Sequence, residues 1–243
     1  MQDYLKDVVQ HTHQLGTIDT VKVIGTETET RIVALADDKS AVVDAVFKNA
    51  HPEFIGTFGM PNLAKLNTIL GIPEYKENAQ LTITKQNRNG EEVPVGIHFE
   101  NAAGDFKNDY RFMTAEVIND KLKTQKMRPV KWNVDFTPTV QNIQRLRFQA
   151  SANSDETTFT AKTENGDLKF YFGDHASHAG NFVFQAGVGG TLSKSWSWPV
   201  AAVIAILALP GDKSFRISDE GAAQITVDSG IAVWNYTLPA QIK

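Results

Sequence analysis

The chain has 243 residues, 42% hydrophobic and 21% charged, with 17 glycines, 9 prolines and a formal net charge of −4. This composition excludes a disordered, collagenous or coiled-coil chain, and the length admits one large domain or two of about 120 residues. With no cysteine there is no disulfide framework, thiolate metal site or thiol nucleophile, and a reducing cytoplasm is the expected compartment.

The first residues carry acids and histidines where an export signal needs a basic flank and an apolar run, so no such signal is expected. Over Asp3 to Leu15, the residues Leu5, Val8, Val9, Thr12 and Leu15 recur at helical spacing, with Lys6, Gln10, His13 and Gln14 opposite. An amphipathic helix is predicted there, followed by the strands TVKVIG, TRIVALAD and AVVDAVF. A second helix is predicted from Pro61, with Leu63, Leu66, Ile69 and Leu70 on one face, Lys65 and Thr68 on the other, and Gly71 as its stop. QLTITK, VPVGIHFE and YRFM then alternate as strands, the first pair turning at Asn89-Gly90.

Met113 to Val130 has no clean period and reads as a linker (113–130) between a domain at 1–112 and another at 131–243. A third helix opens at Thr137-Pro138 and is expected to bury Val140, Ile143, Leu146 and Ala150. That leaves Gln141, Arg145 and Gln149 opposite and Arg147 on the flank. The strands TTFTAK, LKFYFG and NFVFQAG follow, with a turn at Asn165-Gly166. A fourth helix runs from Pro199 to Leu209, apolar on every side and expected to be covered, before SFRIS, AQITVD and AVWNYTL. Short apolar stretches, FIGTF, WNVDF and SWSW, precede helices two, three and four. Strand, helix, three antiparallel strands is thus written about four times, which predicts an α+β fold of two similar domains. The longest uncharged apolar run, Val200 to Leu209, is too short to span a bilayer, and no membrane role is expected.

Charge is uneven along the chain. Residues 121–147 hold Lys121, Lys123, Lys126, Arg128, Lys131, Arg145 and Arg147 against Asp135 alone, a local charge of +6 against −10 for the remainder. Such a chain presents one positive surface to a polyanion while the rest repels it. Chemical signals are weak elsewhere. Asp174, His175 and His178 have metal-ligand chemistry but sit at a hairpin tip without a third nitrogen or sulfur donor. GVGGT at 187–191 lacks the ending and the helix of a phosphate-binding loop. No cofactor or catalytic constellation is implied, and the chain does not read as an enzyme.

The stretches DFTPTVQNIQRLRFQAS (135–151), FGMPNLAKLNTILG (58–71) and LALPGDKSFRI (207–217), with the hairpin at Asn165-Gly166, resemble the sliding clamps that make DNA polymerases processive. The likeness is greatest to the clamps of T-even-like bacteriophages, including cyanophage-type clamps, and covers nearly the whole chain. It implies a homotrimeric ring around duplex DNA, without sequence preference, and partners in the replicative polymerase and a clamp-loader ATPase. On that resemblance the DNA-facing set is Lys6, Lys65, Arg145 and Arg147, with Lys121, Lys123 and Lys126 as additions. The subunit interface would pair the strand Phe106–Met113, through Phe106, Tyr110 and Phe112, with the strand Asn181–Gly187, through Phe182, Val183 and Phe184. Proline at Tyr110 or Val183 would then open the ring. A partner peptide would dock at Tyr236, Leu238, Pro239 and Ile242. The competing function is a β-rich phage shell or tail protein that assembles through edge strands. A ligand-binding or enzymatic α+β domain would need a convergent polar pocket that the sequence does not show.

Overall fold

The structure, a computed structural model, describes residues 1–88, 90–123, 129–173 and 178–241. The chain divides into two units, Met1–Lys126 with Ser229–Trp234, and Met127–Asp228 with Asn235–Lys243.

In the first unit, α1 (Gln2–His11) buries Leu5, Val8 and Val9. It stops short of the predicted Leu15 because the Thr12 hydroxyl bonds back to the Val8 carbonyl at 2.6 Å, after which a single 3-10 turn, His13–Leu15, closes on Gly16 at φ +81°. The strands β1 (Thr20–Gly25), β2 (Thr30–Leu35), β3 (Val42–Phe47) and β4 (Gly56–Pro61) run antiparallel in the order β4-β1-β2-β3. Register sets Val23 beside both Ile32 and Phe58, and Ile32 beside Ala45, so these buried residues share one face of the sheet. The ring of Tyr4 in α1 lies 4.8 Å from Phe47, which is on that face by alternation.

Pro61 ends β4 opposite Thr20 and does not open the second helix. That role falls to Asn62, whose side chain accepts from the Lys65 amide at 3.1 Å and caps α2 (Leu63–Leu70). A second antiparallel sheet follows, β5 (Gln80–Arg88), β6 (Glu91–Glu100) and β7 (Lys107–Arg111), in that order. The predicted linker then contains a helix, α3 (Ala115–Lys121), capped by Thr114. Its fully buried Ile118 seats on Gly59, where an added Cβ would come within 2.9 Å of it. Gly59 pairs with Lys22 and so points to the face opposite Phe58, which places α1 and α3 on opposite faces of this sheet.

The end of the chain contributes to this unit as well. Trp234 donates its indole N–H to Asp7 Oδ2 at 2.9 Å, and Ser229 Oγ donates to the same oxygen at 3.1 Å. The His11 ring stacks on Trp234 with centroids 5.1 Å apart. A buried carboxylate is tolerable only with such donors around it.

The second unit shows the repeat twice. The first copy is β8 (Val134–Phe136), α4 (Val140–Ala152), β9 (Thr158–Glu164), β10 (Asp167–Phe172) and β11 (Gly180–Gln185). The second is β12 (Trp196–Pro199), α5 (Val200–Ala208), β13 (Asp212–Ser218), β14 (Ala222–Asp228) and β15 (Ala232–Pro239). The strands exchange between copies, for β12 pairs with β9 and β8 with β13. Phenylalanine fills the core: Phe170 lies 4.3 Å from Phe159 and 4.4 Å from Phe184, and Phe136 lies 5.3 Å from Phe215. The sequence-predicted α+β architecture of repeated helix-and-three-strand modules is what the structure shows.

The loops of this unit are held by specific polar contacts. Asp219, in the turn after β13, accepts from the Ser193 amide at 3.0 Å, the Ser193 hydroxyl at 2.7 Å, the Lys194 amide at 3.1 Å and Asn133 Nδ2 at 3.3 Å. The glycine-rich stretch serves close approach, since a Cβ on Gly190 would lie 1.7 Å from the Asn133 carbonyl oxygen.

Candidate nucleic-acid interface and strand edges

The sequence-predicted cations divide by location within their own units. Lys6 is exposed on α1 opposite the buried stripe of Leu5, Val8 and Val9, and Lys65 is exposed on α2. Lys121 and Lys123 do not join them. Both are on or next to α3, on the opposite sheet face from α1, and Lys121 Nζ donates to Thr20 Oγ1 at 2.9 Å while Lys123 faces Asp120 at 3.7 Å. Lys126 lies outside the described residues.

Helix α4 is turned differently from the sequence expectation. Leu146 is buried and Ile143 and Ala150 are half-buried, but Val140 is 74% exposed. Amides displace the apolar stripe: Asn142 Nδ2 bonds Gln185 Oε1 at 3.1 Å, Gln149 Nε2 bonds the Asn181 carbonyl at 3.4 Å, and Asn153 is buried. The inner face thus follows Asn142, Leu146, Gln149 and Asn153, a polar-apolar mixture that a hydrophobicity pattern hides. Arg145 is consequently beside β11, its guanidinium 5.4 Å from the centre of the Phe182 ring. Arg147 is exposed on the other flank, and Phe148, which the sequence did not single out, is 72% exposed. Helix α5 adds no charge to this surface. It buries Val200, Val203, Ile206 and Leu207 and exposes Ala201 and Ala208.

β7 and β11 each lie at one end of their sheet, with β5 and β12 at the other ends, and each has one hydrogen-bonded neighbour. In β7 the Phe112 amide donates to the Val95 carbonyl and the Phe106 carbonyl accepts from Asn101. Even-numbered residues therefore direct their backbone to β6, and Lys107, Asp109 and Arg111 turn theirs to the open edge. In the second unit, Asn165 and Gly166 have φ of +53° and +84°, a two-residue turn that makes Glu164 and Asp167 a hydrogen-bonded pair. Counting along the ladder from there gives Phe170 and Phe182 as a bonded pair, so Val183 faces the open edge of β11.

The side chains expected at those edges divide into two groups. Tyr110 and Phe184 are 2% and 0% exposed and belong to the core. The Tyr110 hydroxyl donates to the Pro61 carbonyl, and burial pushes its phenol pKa far above the ordinary value. Phe112 is half-buried, stacked 4.5 Å from Phe58. Phe106, just before β7, is 41% exposed, and Phe182 and Val183 are half-buried.

The partner-docking residues are corrected more sharply. Tyr236 and Leu238 are 0% exposed and serve the core, because alternation along β15 turns them inward. Pro239 is exposed, and Ile242 lies outside the described residues. Exposed apolar side chains occur instead at Leu35 and Val46, both on the face of the first sheet opposite α1. Asp174 and His175 also lie outside the described residues, and no group of three or more metal-binding side chains occurs among those described. No described helix is long and apolar enough to cross a membrane.

No family model matches the sequence, and a search of curated proteins gives no match. Solved structures do match. The chain is similar to A. fulgidus PCNA, in a structure with the C-terminal region of FEN-1 bound, at a TM-score of 0.71 and 10% identity over 100% of this chain and 97% of that one. It is similar to PCNA from Thermococcus kodakaraensis at a TM-score of 0.68 and 11% identity, over 99% and 97% of the two chains. At such identities it is the fold that is shared, and along its whole length this chain has the PCNA clamp fold.

Proposed function

We propose that the protein is a sliding clamp, a tether without catalytic chemistry of its own. Three copies close into a ring around duplex DNA and hold the replicative polymerase on its template. The observation that carries this is the pair of open strand edges within a clamp fold. Each unit includes an end strand, β7 in the first and β11 in the second, with a hydrogen-bonded neighbour strand on one side only. An edge of this kind is an aggregation hazard unless something covers it, and pairing β7 of one copy with β11 of the next covers both and closes a ring.

Lys6, Lys65 and Arg147 supply the attraction for DNA. Flexible cations on helix surfaces contact phosphates and read no base edges, so binding is indifferent to sequence and the ring is free to move. Retention comes from closure. Partner peptides dock on the face of the first sheet opposite α1, where the exposed Leu35 and Val46 flank the Arg31–Asp44 ion pair, a polymerase and a clamp-loader ATPase being the expected partners. On the sequence likeness to T-even-like phage clamps, the protein works in the cytoplasm of an infected cell.

The test is topological. Loaded on nicked circular DNA with a loader and ATP, the ring is expected to persist on the circle and to escape once the circle is linearised. Equal dissociation from circular and linear DNA would overturn the encircling mechanism. Open polymers in solution would favour an edge-assembled shell or tail protein.

A further inference from the structure

The two open edges carry one feature each that the ladder of backbone bonds does not use. Beside β7, Phe106 is 41% exposed with its ring 5.7 Å from Tyr75, whose hydroxyl accepts from Asn108. Beside β11, α4 exposes Phe148 to 72%. At the helical angle of about 100° per residue, Gln141, Arg145, Phe148 and Ala152 fall on one flank of α4. That flank adjoins Asn142 and Gln149, the residues that bond to β11. Val140 is just as exposed, at 74%, but lies on the other flank with Arg147.

Direction matters as well. Asn142 sits at Gln185 and Gln149 at Asn181, so α4 runs against β11. Tyr110 reaches Pro61, just before α2, and Asn108 reaches Tyr75, beyond its end, so α2 runs against β7. If β7 of one copy pairs antiparallel with β11 of another, α2 of the first lies beside α4 of the second, also antiparallel. The end of α4 that carries Gln141 and Arg145 then meets the far end of α2. There Glu74 and Asp105 both accept from Asn101 Nδ2, at 3.2 and 2.9 Å, next to the exposed Phe106.

We propose that Phe148 is the apolar anchor of the contact between copies, seated against α2 of the next copy, with Arg145 directed at Glu74 and Asp105 of that copy. The proposal rests on the ring proposed above. A lone exposed phenylalanine needs no explanation. This one continues an unpaired strand edge and shares its flank with a cation that Phe182 already holds in place. The occupant's acids are opposite in sign to that cation, and hydrophobic anchors ringed by polar contacts dominate interfaces of this kind. Arg145 thereby leaves the DNA-facing set.

The experiment is a dilution series of the full chain followed by light scattering, for the wild type, Phe148→Asp and Val140→Asp. Wild type is expected to be a trimer, and Phe148→Asp to move the dissociation midpoint to a concentration at least about tenfold higher. Val140→Asp, equally exposed on the other flank, is expected to leave the midpoint unchanged. A trimeric wild type whose midpoint does not move with Phe148→Asp, or moves as far with Val140→Asp, overturns the anchor and leaves the ring standing. A wild type that is monomeric at every concentration overturns both. Thermal melting verifies that the variants fold, and Phe148→Gln replaces Phe148→Asp if the acid impairs folding.

Discussion

Asp219 gathers four hydrogen bonds at the turn after β13, from two backbone amides, a hydroxyl and a side-chain amide. Partial burial works to raise its pKa, but the bonds from Ser193 and Lys194 outweigh that and hold the carboxyl below its ordinary value. A carboxyl whose pKa is lower folded than unfolded binds fewer protons in the native state. Its contribution is therefore complete above the unfolded pKa of about 3.9 and disappears as pH falls through the lower folded value. Asp219→Asn should lower the Tm at pH 7, and the gap from wild type should close as the melts are carried below about pH 3. A gap that is constant from pH 7 downward would mean that the charge contributes nothing. The same residue scale explains Tyr236 and Leu238. Their apolar character near a chain end resembles a docking motif, yet alternation along β15 turns them into the core.

Within a strand, position parity decides what a substitution does. Asp109 turns its backbone N–H to the open edge of β7, whereas Tyr110 turns its own to β6 and buries its ring. Asp109→Pro should therefore give folded monomers. Tyr110→Pro, the choice the sequence alone suggests, should cost at least about 3 kcal/mol of protomer stability, because it removes both a ladder bond and a core aromatic. Paired melting and light-scattering curves distinguish the two, and a trimeric Asp109→Pro protein would exclude this edge from the ring. The elements themselves were legible in the sequence because their periods are strong: the three strands after each of the four predicted helices, the short strands before the second, third and fourth of them, and the Asn165-Gly166 turn all emerge from alternation and turn residues. α3 was not legible, since only Ile118 of its seven residues is buried and one buried position makes no period. The face of α4 departs from the hydrophobic pattern for a related reason. Asn142, Gln149 and Asn153 point inward to hydrogen-bond, and a hydrophobicity pattern counts such residues as outward.

For the molecule as a whole, attraction and retention are separate quantities. In the proposed ring, Lys6→Ala, Lys65→Ala and Arg147→Ala singly should change DNA association little, because contacts of flexible cations with phosphates are individually weak and interchangeable. Combined, they should reduce the slope of log affinity against log salt by about 0.9 for each phosphate that is no longer neutralised. The half-life on nicked circles should remain near that of wild type if, as proposed, closure and not charge sets it. A triple variant with an unaltered slope would mean that these side chains do not face DNA.

The closure of Trp234 over Asp7 and His11 has a consequence for how the protein is made. The first unit needs residues 229–234, and about a hundred residues of the second must be synthesised between Lys126 and Ser229. At translation rates of about 5–20 residues per second, the stretch that ends at Lys126 waits on the order of 5–20 s for residues 229–234, so the half of the chain that emerges first is completed only when nearly all of the second has been made. A ribosome paused within that interval holds a nascent chain that is not yet a completed unit, and any factor that shields apolar surface has those seconds in which to act.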